Sequence, residues 1–215
     1  DACHSLGARY KNKKVGTLAD LTVFSFHPVK HITTGEGGMV VTSNPNFVQR
    51  MIKFRNHGLS LDNQERVKKK TWRYSMQELG YNYRITDFQC ALGISQLKKL
   101  PTWLKRRNEI ARTYDGHFKK LQDIQPLRTL PHVQHAYHLY VIRLKTERSG
   151  ISRDDLFSFF RKKNVLVNVH YLPVHLQPFY RTRFKTKEGM CPIAEQVATE
   201  ILSLPMYPSM TKREI

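Results

Sequence analysis

The sequence predicts an α/β fold in two units, a larger one followed by a small α+β unit. Three observations predict it. Strand and helix signals alternate along the chain, the composition changes near Pro101, and 40% hydrophobic content over 215 residues is enough to bury a core.

The elements follow in order. Leu21-Thr-Val-Phe-Ser-Phe26 and Gly38-Met-Val-Val-Thr42 are short β-rich runs on either side of a Gly-rich loop, and both read as buried strands. Asn44-Pro45 marks a helix start, after which Phe47, Met51, Ile52 and Phe54 recur at helical spacing. Thr86-Asp-Phe-Gln89 reads as a capping box opening a helix to about Leu100, where Pro101 is expected to stop it. A long amphipathic helix comes next, with Trp103, Leu104, Ile110, Ala111, Tyr114, Phe118 and Leu121 on one face. Lys105, Arg106, Arg107, Lys119 and Lys120 fall mostly on the other. Beyond it, Leu139-Tyr-Val-Ile-Arg-Leu144 is a strand, Ser152 caps a helix containing Leu156, Phe159 and Phe160, and Val165-Leu-Val-Asn-Val169 alternates as a further strand. The expected division is 1–100 and 101–215, with the long helix as the bridge, and no internal repeat is present.

Composition narrows the partners. The 36 Lys and Arg against 17 Asp and Glu give a net charge of +19, which suits an anionic or phosphorylated partner. The densest block, Arg66-Val-Lys-Lys-Lys-Thr-Trp-Arg73, carries one aromatic and no repeated basic-aromatic pattern, so a solvated loop is preferred to a nucleic-acid surface. No apolar run approaches the roughly 20 residues that cross a bilayer, and the opening Asp-Ala-Cys-His lacks the basic and apolar segments of a signal peptide. Cys3, Cys90 and Cys191 are scattered without metal-ligand spacing, so neither a disulfide framework nor a metal site is expected. These features predict a cytoplasmic protein. Because the chain opens without Met, directly in sequence of functional character, it is expected to be a piece of a longer protein.

The chemical core is Phe24-Ser-Phe-His-Pro-Val-Lys-His-Ile-Thr-Thr-Gly-Glu-Gly-Gly38, in which a lysine follows a strand and precedes a Gly-rich turn. Lys30, held at a strand end in a mostly apolar setting, is a candidate Schiff-base amine. The local pattern equally fits an ordinary loop lysine. The Gly35-Glu-Gly-Gly38 run lacks the Gly-Lys-Ser/Thr and the strand-loop-helix setting of a phosphate loop, and reads as a turn between strands.

This segment, together with Asp1-Ala-Cys-His-Ser-Leu-Gly-Ala8, resembles the DegT/DnrJ/EryC1/StrS family of sugar aminotransferases. The resemblance continues through Arg55-Asn-His-Gly58, Glu78-Leu-Gly-Tyr-Asn-Tyr-Arg-Ile-Thr-Asp87, Ala136-Tyr-His-Leu-Tyr140, Val169-His-Tyr-Leu-Pro-Val-His175 and Leu202-Ser-Leu-Pro-Met-Tyr-Pro208. It implies the type I fold of pyridoxal 5'-phosphate (PLP) enzymes, aspartate aminotransferase-like, with a mixed, largely parallel sheet in the large domain. Residues 1–100 would be the carboxy-terminal part of that PLP-binding large domain, and 101–215 the bridging helix and small domain. It also implies that Lys30 carries the cofactor and moves the proton, that Asp1 pairs with the pyridinium nitrogen, and that His4 lies against the ring. Ser25 would contact the cofactor phosphate. Asn82 would reach the phosphate of the neighbouring subunit's cofactor, which implies a homodimer with shared active sites. For Asp1 and Asn82 a turn role competes, for His4 a structural one and for Ser25 an ordinary strand serine. His170, Tyr171 and His175 are substrate-contact candidates, with packing around a Pro-rich loop as the other reading.

Within the family, Met76 to Arg84, Ala91 to Lys98 and Val169 to Phe179 are most similar to the 4-aminotransferases of the pseudaminic acid pathway. That similarity implies amination of a UDP-linked 4-keto-6-deoxy-N-acetylhexosamine with glutamate as donor. The family's amino-terminal half, with its phosphate-holding turn and ring-stacking aromatic, is not in this sequence. Relatives that dehydrate the sugar carry His in place of the lysine, and Lys30 speaks against that activity. A basic nucleic-acid-binding module and an inactive remnant of an aminotransferase stand as alternatives.

Overall fold

A computed structural model describes residues 1–215, which divide into two compact units, Asp1–Pro101 and Thr102–Ile215. The first unit begins with a two-residue hairpin, β1 (Arg9–Tyr10) against β2 (Lys13–Lys14). β3 (Thr22–Ser25) then pairs antiparallel with β4 (Gly38–Val41), in a register that sets Thr22 opposite Val41 and Ser25 opposite Gly38. Only alternate residues of β3 are buried, and β4 is mostly exposed. The expectation of two buried strands is therefore corrected: a two-stranded ribbon can cover one of its faces, and the side chains of Val23, Met39 and Val40 lie outside the core. α1 (Pro45–Phe54) starts as expected, with the Asn44 side chain accepting the Asn46 N–H at 2.9 Å and Pro45 in the first turn. α2 (Asn63–Lys68) opens with a reciprocal capping box, in which Asp62 and Glu65 each accept the other's backbone N–H.

The capping box at Thr86 is present, with Gln89 Oε1 accepting the Thr86 N–H at 3.0 Å. The helix it starts does not stop at Pro101, however. α3 runs Asp87–Phe118 with the proline inside. Proline removes one donor and crowds the preceding turn, but its fixed φ is helical, so apolar contacts on either side can carry the helix through. Leu100 is buried before it and Ile110, Ala111 and Tyr114 after it.

In the second unit, β5 (Ile124–Pro126), β7 (Tyr140–Leu144) and β8 (Ile201–Leu204) form an antiparallel sheet in the order β5-β7-β8. The remaining elements are β6 (Val133–Gln134), α4 (Thr146–Ser149), α5 (Arg153–Lys162), α6 (Pro178–Phe184) and α7 (Pro192–Glu200), with a 3-10 turn over Val174–Leu176. β7 is a strand as predicted and alternates, burying Tyr140, Ile142 and Leu144, and Ser152 caps α5 by accepting the Asp155 N–H at 3.1 Å. The core joins Ile110, Ala111 and Tyr114 of α3 to Ile142, Val167 and Leu202. Val165–Val169 is not a strand. Its backbone pairs with β8, a strand the sequence reading missed, at the Asn168–Ser203 bridge, because the Val165, Val167 and Val169 N–H groups donate locally to Phe160 O, Val165 O and Asn168 Oδ1 instead.

Arg107 departs from its expected solvent face. It is 5% exposed, and its Nη1 donates to the carbonyls of Tyr137, His138 and Met206 at 2.9, 3.3 and 2.8 Å. Burial lowers its pKa to about 10. The periodicity puts residue 107 on the buried face with 103, 110, 111 and 114, and three backbone carbonyls accept its charge there. Leu121 lies beyond the helix end and is exposed.

Candidate active site

The site residues of the first unit gather along β3. Ala2 N–H donates to the Val23 carbonyl at 2.9 Å, so the Asp1–His4 segment lies beside that strand, and Ser25 follows two residues further, about 7 Å along an extended chain. Asp1 Oδ1 accepts the Cys3 N–H at 2.8 Å, which shapes the turn and leaves its second oxygen for another donor. His4 is half-buried in the same turn. Ser25 Oγ accepts the His27 N–H at 3.3 Å, so its own proton can go to an acceptor.

Lys30 sits in the β3–β4 connection, half-buried, with its N–H on the His27 carbonyl at 3.0 Å. What fixes that connection is a set of polar ties around two buried neighbours, His31 and Ile32. Phe26 N–H donates to Gly37 O at 2.8 Å, while Thr34 N–H and Thr33 Oγ1 both donate to Phe26 O at 3.1 Å. Thr34 Oγ1 donates to Glu36 O at 2.8 Å, and Gln89 Nε2 of α3 reaches the same carbonyl at 2.8 Å. The residue that caps α3 thus also anchors the lysine loop. Gly93 lets the helix approach, since a Cβ there would lie 3.0 Å from Thr34 Cγ2. Gly37 is required as well, at φ +159° with Thr34 Oγ1 2.3 Å from where its Cβ would be. The sequence reading identified the Gly-rich turn but not its tie to Gln89, which no short-range pattern reveals.

This donor set fits PLP: an amine on a pinned loop, a hydroxyl at the strand end with its proton to give, and a carboxylate with one oxygen uncommitted.

Asn82 belongs to a separate construction, in which the chain after α1 crosses the chain before α3. Asn56 bridges Asn82, Tyr81 N–H donates to Phe54 O at 2.7 Å, and Tyr83 N–H donates to Arg55 O at 3.0 Å. Two glycines permit the crossing. A Cβ on Gly58, at φ +67°, would lie 1.7 Å from Glu78 O, and one on Gly80 would lie 2.2 Å from Gly58 N. The Tyr81 and Tyr83 rings stack at 5.0 Å beside Phe54. Asn82 itself is exposed.

The three substrate candidates lie in the second unit. His170 Nδ1 is 2.8 Å from Ser203 Oγ, and Tyr171 is exposed. His175 Nε2 is 2.7 Å from Glu195 Oε1. The Gly189 N–H, then the His175 ring, hold the Glu195 carboxyl below the ordinary range. One ring nitrogen of His175 is thereby committed to the loop it closes. No group of three or more His, Cys, Asp or Glu side chains is placed to hold a metal ion, and no helix is long and apolar enough to cross a membrane.

Comparison with known proteins matches residues 1–215 to the model of the DegT/DnrJ/EryC1/StrS aminotransferase family. A curated relative from Campylobacter jejuni, named UDP-4-amino-4,6-dideoxy-N-acetyl-beta-L-altrosamine transaminase, is 44% identical over 181 residues, covering 84% of this chain and 46% of its own. Among solved structures, Helicobacter pylori PseC, described as an aminotransferase involved in the biosynthesis of pseudoaminic acid, superposes with a TM-score of 0.88 at 33% identity, over 100% of this chain and 55% of its own. A candidate sugar aminotransferase of Streptococcus pneumoniae, Spr1654, solved in its PLP form, gives a TM-score of 0.89 at 29% identity, over 100% of this chain and 53% of its own. The chain spans about half the length of the curated relatives it matches. The α/β fold is that of these PLP-type aminotransferases, as the sequence predicted, but the strand pairs β1–β2 and β3–β4 of the first unit are antiparallel, where the resemblance implied a largely parallel sheet, because short connections join each pair as a hairpin.

Proposed function

The chain belongs to the DegT/DnrJ/EryC1/StrS aminotransferase family, and from that membership we propose that the protein is a PLP-dependent sugar-nucleotide aminotransferase with Lys30 as its cofactor-bearing residue. The observation that carries the proposal is the pinned loop after β3, which holds the half-buried Lys30, while Ala2 ties the Asp1–His4 segment to the same strand and Ser25 ends it. When bound, PLP supplies an electron sink for a carbanion at the substrate carbon. Lys30 binds the cofactor and then takes and returns the proton at that carbon. Asp1 holds a proton on the ring nitrogen, His4 packs against the ring, and the Ser25 hydroxyl donates to the phosphate. Asn82 contributes to the phosphate site of a second copy, which makes the working form a homodimer.

The substrate of this reading is a UDP-linked 4-keto-6-deoxy-N-acetylhexosamine, aminated at C4 with glutamate as donor on the way to pseudaminic or a related nonulosonic acid. The name of the Campylobacter relative supports the sugar, and the PLP form of the pneumococcal structure supports the cofactor. His170, Tyr171 and His175 are the substrate contacts offered by the second unit, in an enzyme working in the cytoplasm. The test is to incubate the full-length gene product with PLP, reduce it with borohydride and locate the modified peptide by mass spectrometry. A reduced adduct on Lys30 that disappears in Lys30→Ala is expected, together with loss of amination. An adduct on another lysine, or none, would overturn the proposal.

A further inference from the structure

An open cleft of about 480 Å³ lies in the first unit, between the end of α1, the glycine crossing and α2. Arg55, His57, Arg66 and Arg84 line it, with Ile52 and Leu59 on an apolar side and Asp62 as its only carboxylate. That carboxylate is engaged, since Asp62 Oδ1 accepts the Glu65 N–H at 2.8 Å within the capping box. None of the three arginines is ion-paired. The cleft therefore gathers three guanidiniums against one carboxylate, a net positive lining that favours an anionic ligand.

Two of the three are already held. Arg66 Nε donates to Asp62 O at 3.4 Å, and its guanidinium lies 4.8 Å over the Tyr74 ring. Arg84 Nη1 donates to Asn56 Oδ1 at 2.6 Å. Each is anchored by one nitrogen, which leaves the rest of its fork for a ligand and lowers the ordering cost of binding. Guanidinium forks match phosphate oxygens in pairs.

We propose that this cleft binds the diphosphate of a nucleoside diphosphate, with Arg55, Arg66 and Arg84 on the phosphate oxygens and the nucleoside ring against Ile52 and Leu59. Its volume falls within the roughly 300–1,000 Å³ of small-molecule sites, and it combines a charged side with an apolar one, as a nucleotide does. A nucleic-acid strand would instead need basic and stacking groups repeated along a surface. The identity of the ligand rests on the proposed sugar-nucleotide reading, because that substrate carries a diphosphate.

The experiment titrates UDP, inorganic pyrophosphate and uridine into the full-length gene product by calorimetry at low salt. Arg55→Gln is the leading variant, because the Arg55 side chain makes no ion pair or hydrogen bond that the substitution would break. Arg66→Gln and Arg84→Gln follow, with Lys70→Gln as a charge control outside the cleft. UDP and pyrophosphate are expected to bind and uridine to bind at least about tenfold more weakly. Each arginine variant should weaken UDP about tenfold, near the 1.4 kcal/mol of one charge-assisted hydrogen bond, and Lys70→Gln should not. UDP affinity unchanged in Arg55→Gln and Arg84→Gln overturns the inference, as does displacement of UDP by a single-stranded RNA that binds more tightly. Borohydride trapping on Lys30 in the same variants separates the two readings. Trapping without arginine-dependent UDP binding sinks the cleft alone, whereas arginine-dependent UDP binding without trapping supports the cleft and sinks the aminotransferase.

Discussion

In Thr102–Ile215 ten buried side chains from α3, the β5-β7-β8 sheet and the segments around it close into one cluster, from Ile110 to Met210. In Asp1–Pro101 the buried apolar residues are Ala2, Ala8, Phe24, Phe26, Ile32 and Leu100, most of them along β3 and its connection. Large apolar side chains there stay exposed, with Leu79 at 68% and Phe88 at 90%. Yet the first unit holds the lysine, the serine, the crossing and the arginine cleft. One unit is shaped by apolar packing and the other by hydrogen bonds and glycine contacts, and the proposed chemistry sits in the second kind of structure. Active loops placed in this way occupy the less stable end of a fold, where polar ties set geometry without a dense core.

The sharpest way to break that comparison is Gly58→Ala. The new Cβ would meet Glu78 O at 1.7 Å on a residue at φ +67°, so the crossing must open. Opening it gives up bonds such as Gly58 N–H to Lys53 O and Gln77 N–H to Gly58 O, both 2.8 Å. Strain and lost hydrogen bonds together make a local cost of about 4 kcal/mol. Hydrogen exchange should show lost protection at His57, Gly58, Gln77 and Tyr81, while trapping on Lys30 persists because Gln89 and the buried His31 and Ile32 hold its loop independently. Loss of both together would show that the crossing and the lysine loop are one cooperative structure.

Ile142→Ala makes the same test in the second unit. Ile142 is fully buried at the centre of β7, opposite Leu202, and its truncation leaves a cavity that the sheet cannot collapse around. About 3 kcal/mol is expected, a fall of roughly 12 °C in the melting temperature of that unit. Exchange within the glycine crossing should be unaffected. Coupled loss in both regions would contradict the division between them.

The same contrast explains what was legible in the sequence. Helix starts at Asn44, Thr86 and Ser152 were readable because a cap is a local bond between neighbours. β7 was readable because its alternation repeats every second residue. Arg107 was misplaced because charge was taken as a sign of solvent, although its spacing from Ile110, Ala111 and Tyr114 puts it on their face. β8 was missed because all four of its residues are buried, so Ile201-Leu-Ser-Leu204 lacks an alternating signature. In the proposed site, Lys30 and Ser25 were nominated by the family resemblance of the segment around them. The Gln89 tie and the arginine cleft did not, since their members are separated by 53 residues in one case and by intervening loops in the other, and only the fold brings them together.

The smallest predicted effect tests whether charge adds to the packing of the second unit. Arg143, on the outward side of β7, forms an ion pair with Glu200 at the end of α7. The Arg143 hydrogen bond holds the Glu200 carboxyl below its ordinary value of 4.5, and Gln196 also donates to it. A carboxyl whose folded pKa is depressed gives stability that is fully present above its unfolded pKa and is lost as pH falls through the folded one. The melting temperature of the protein should therefore fall more steeply below pH 4.5 than that of Glu200→Gln, with the gap between them widest near neutrality. Equal pH profiles would mean that the pair is fully offset by desolvation and that the second unit rests on its apolar cluster alone.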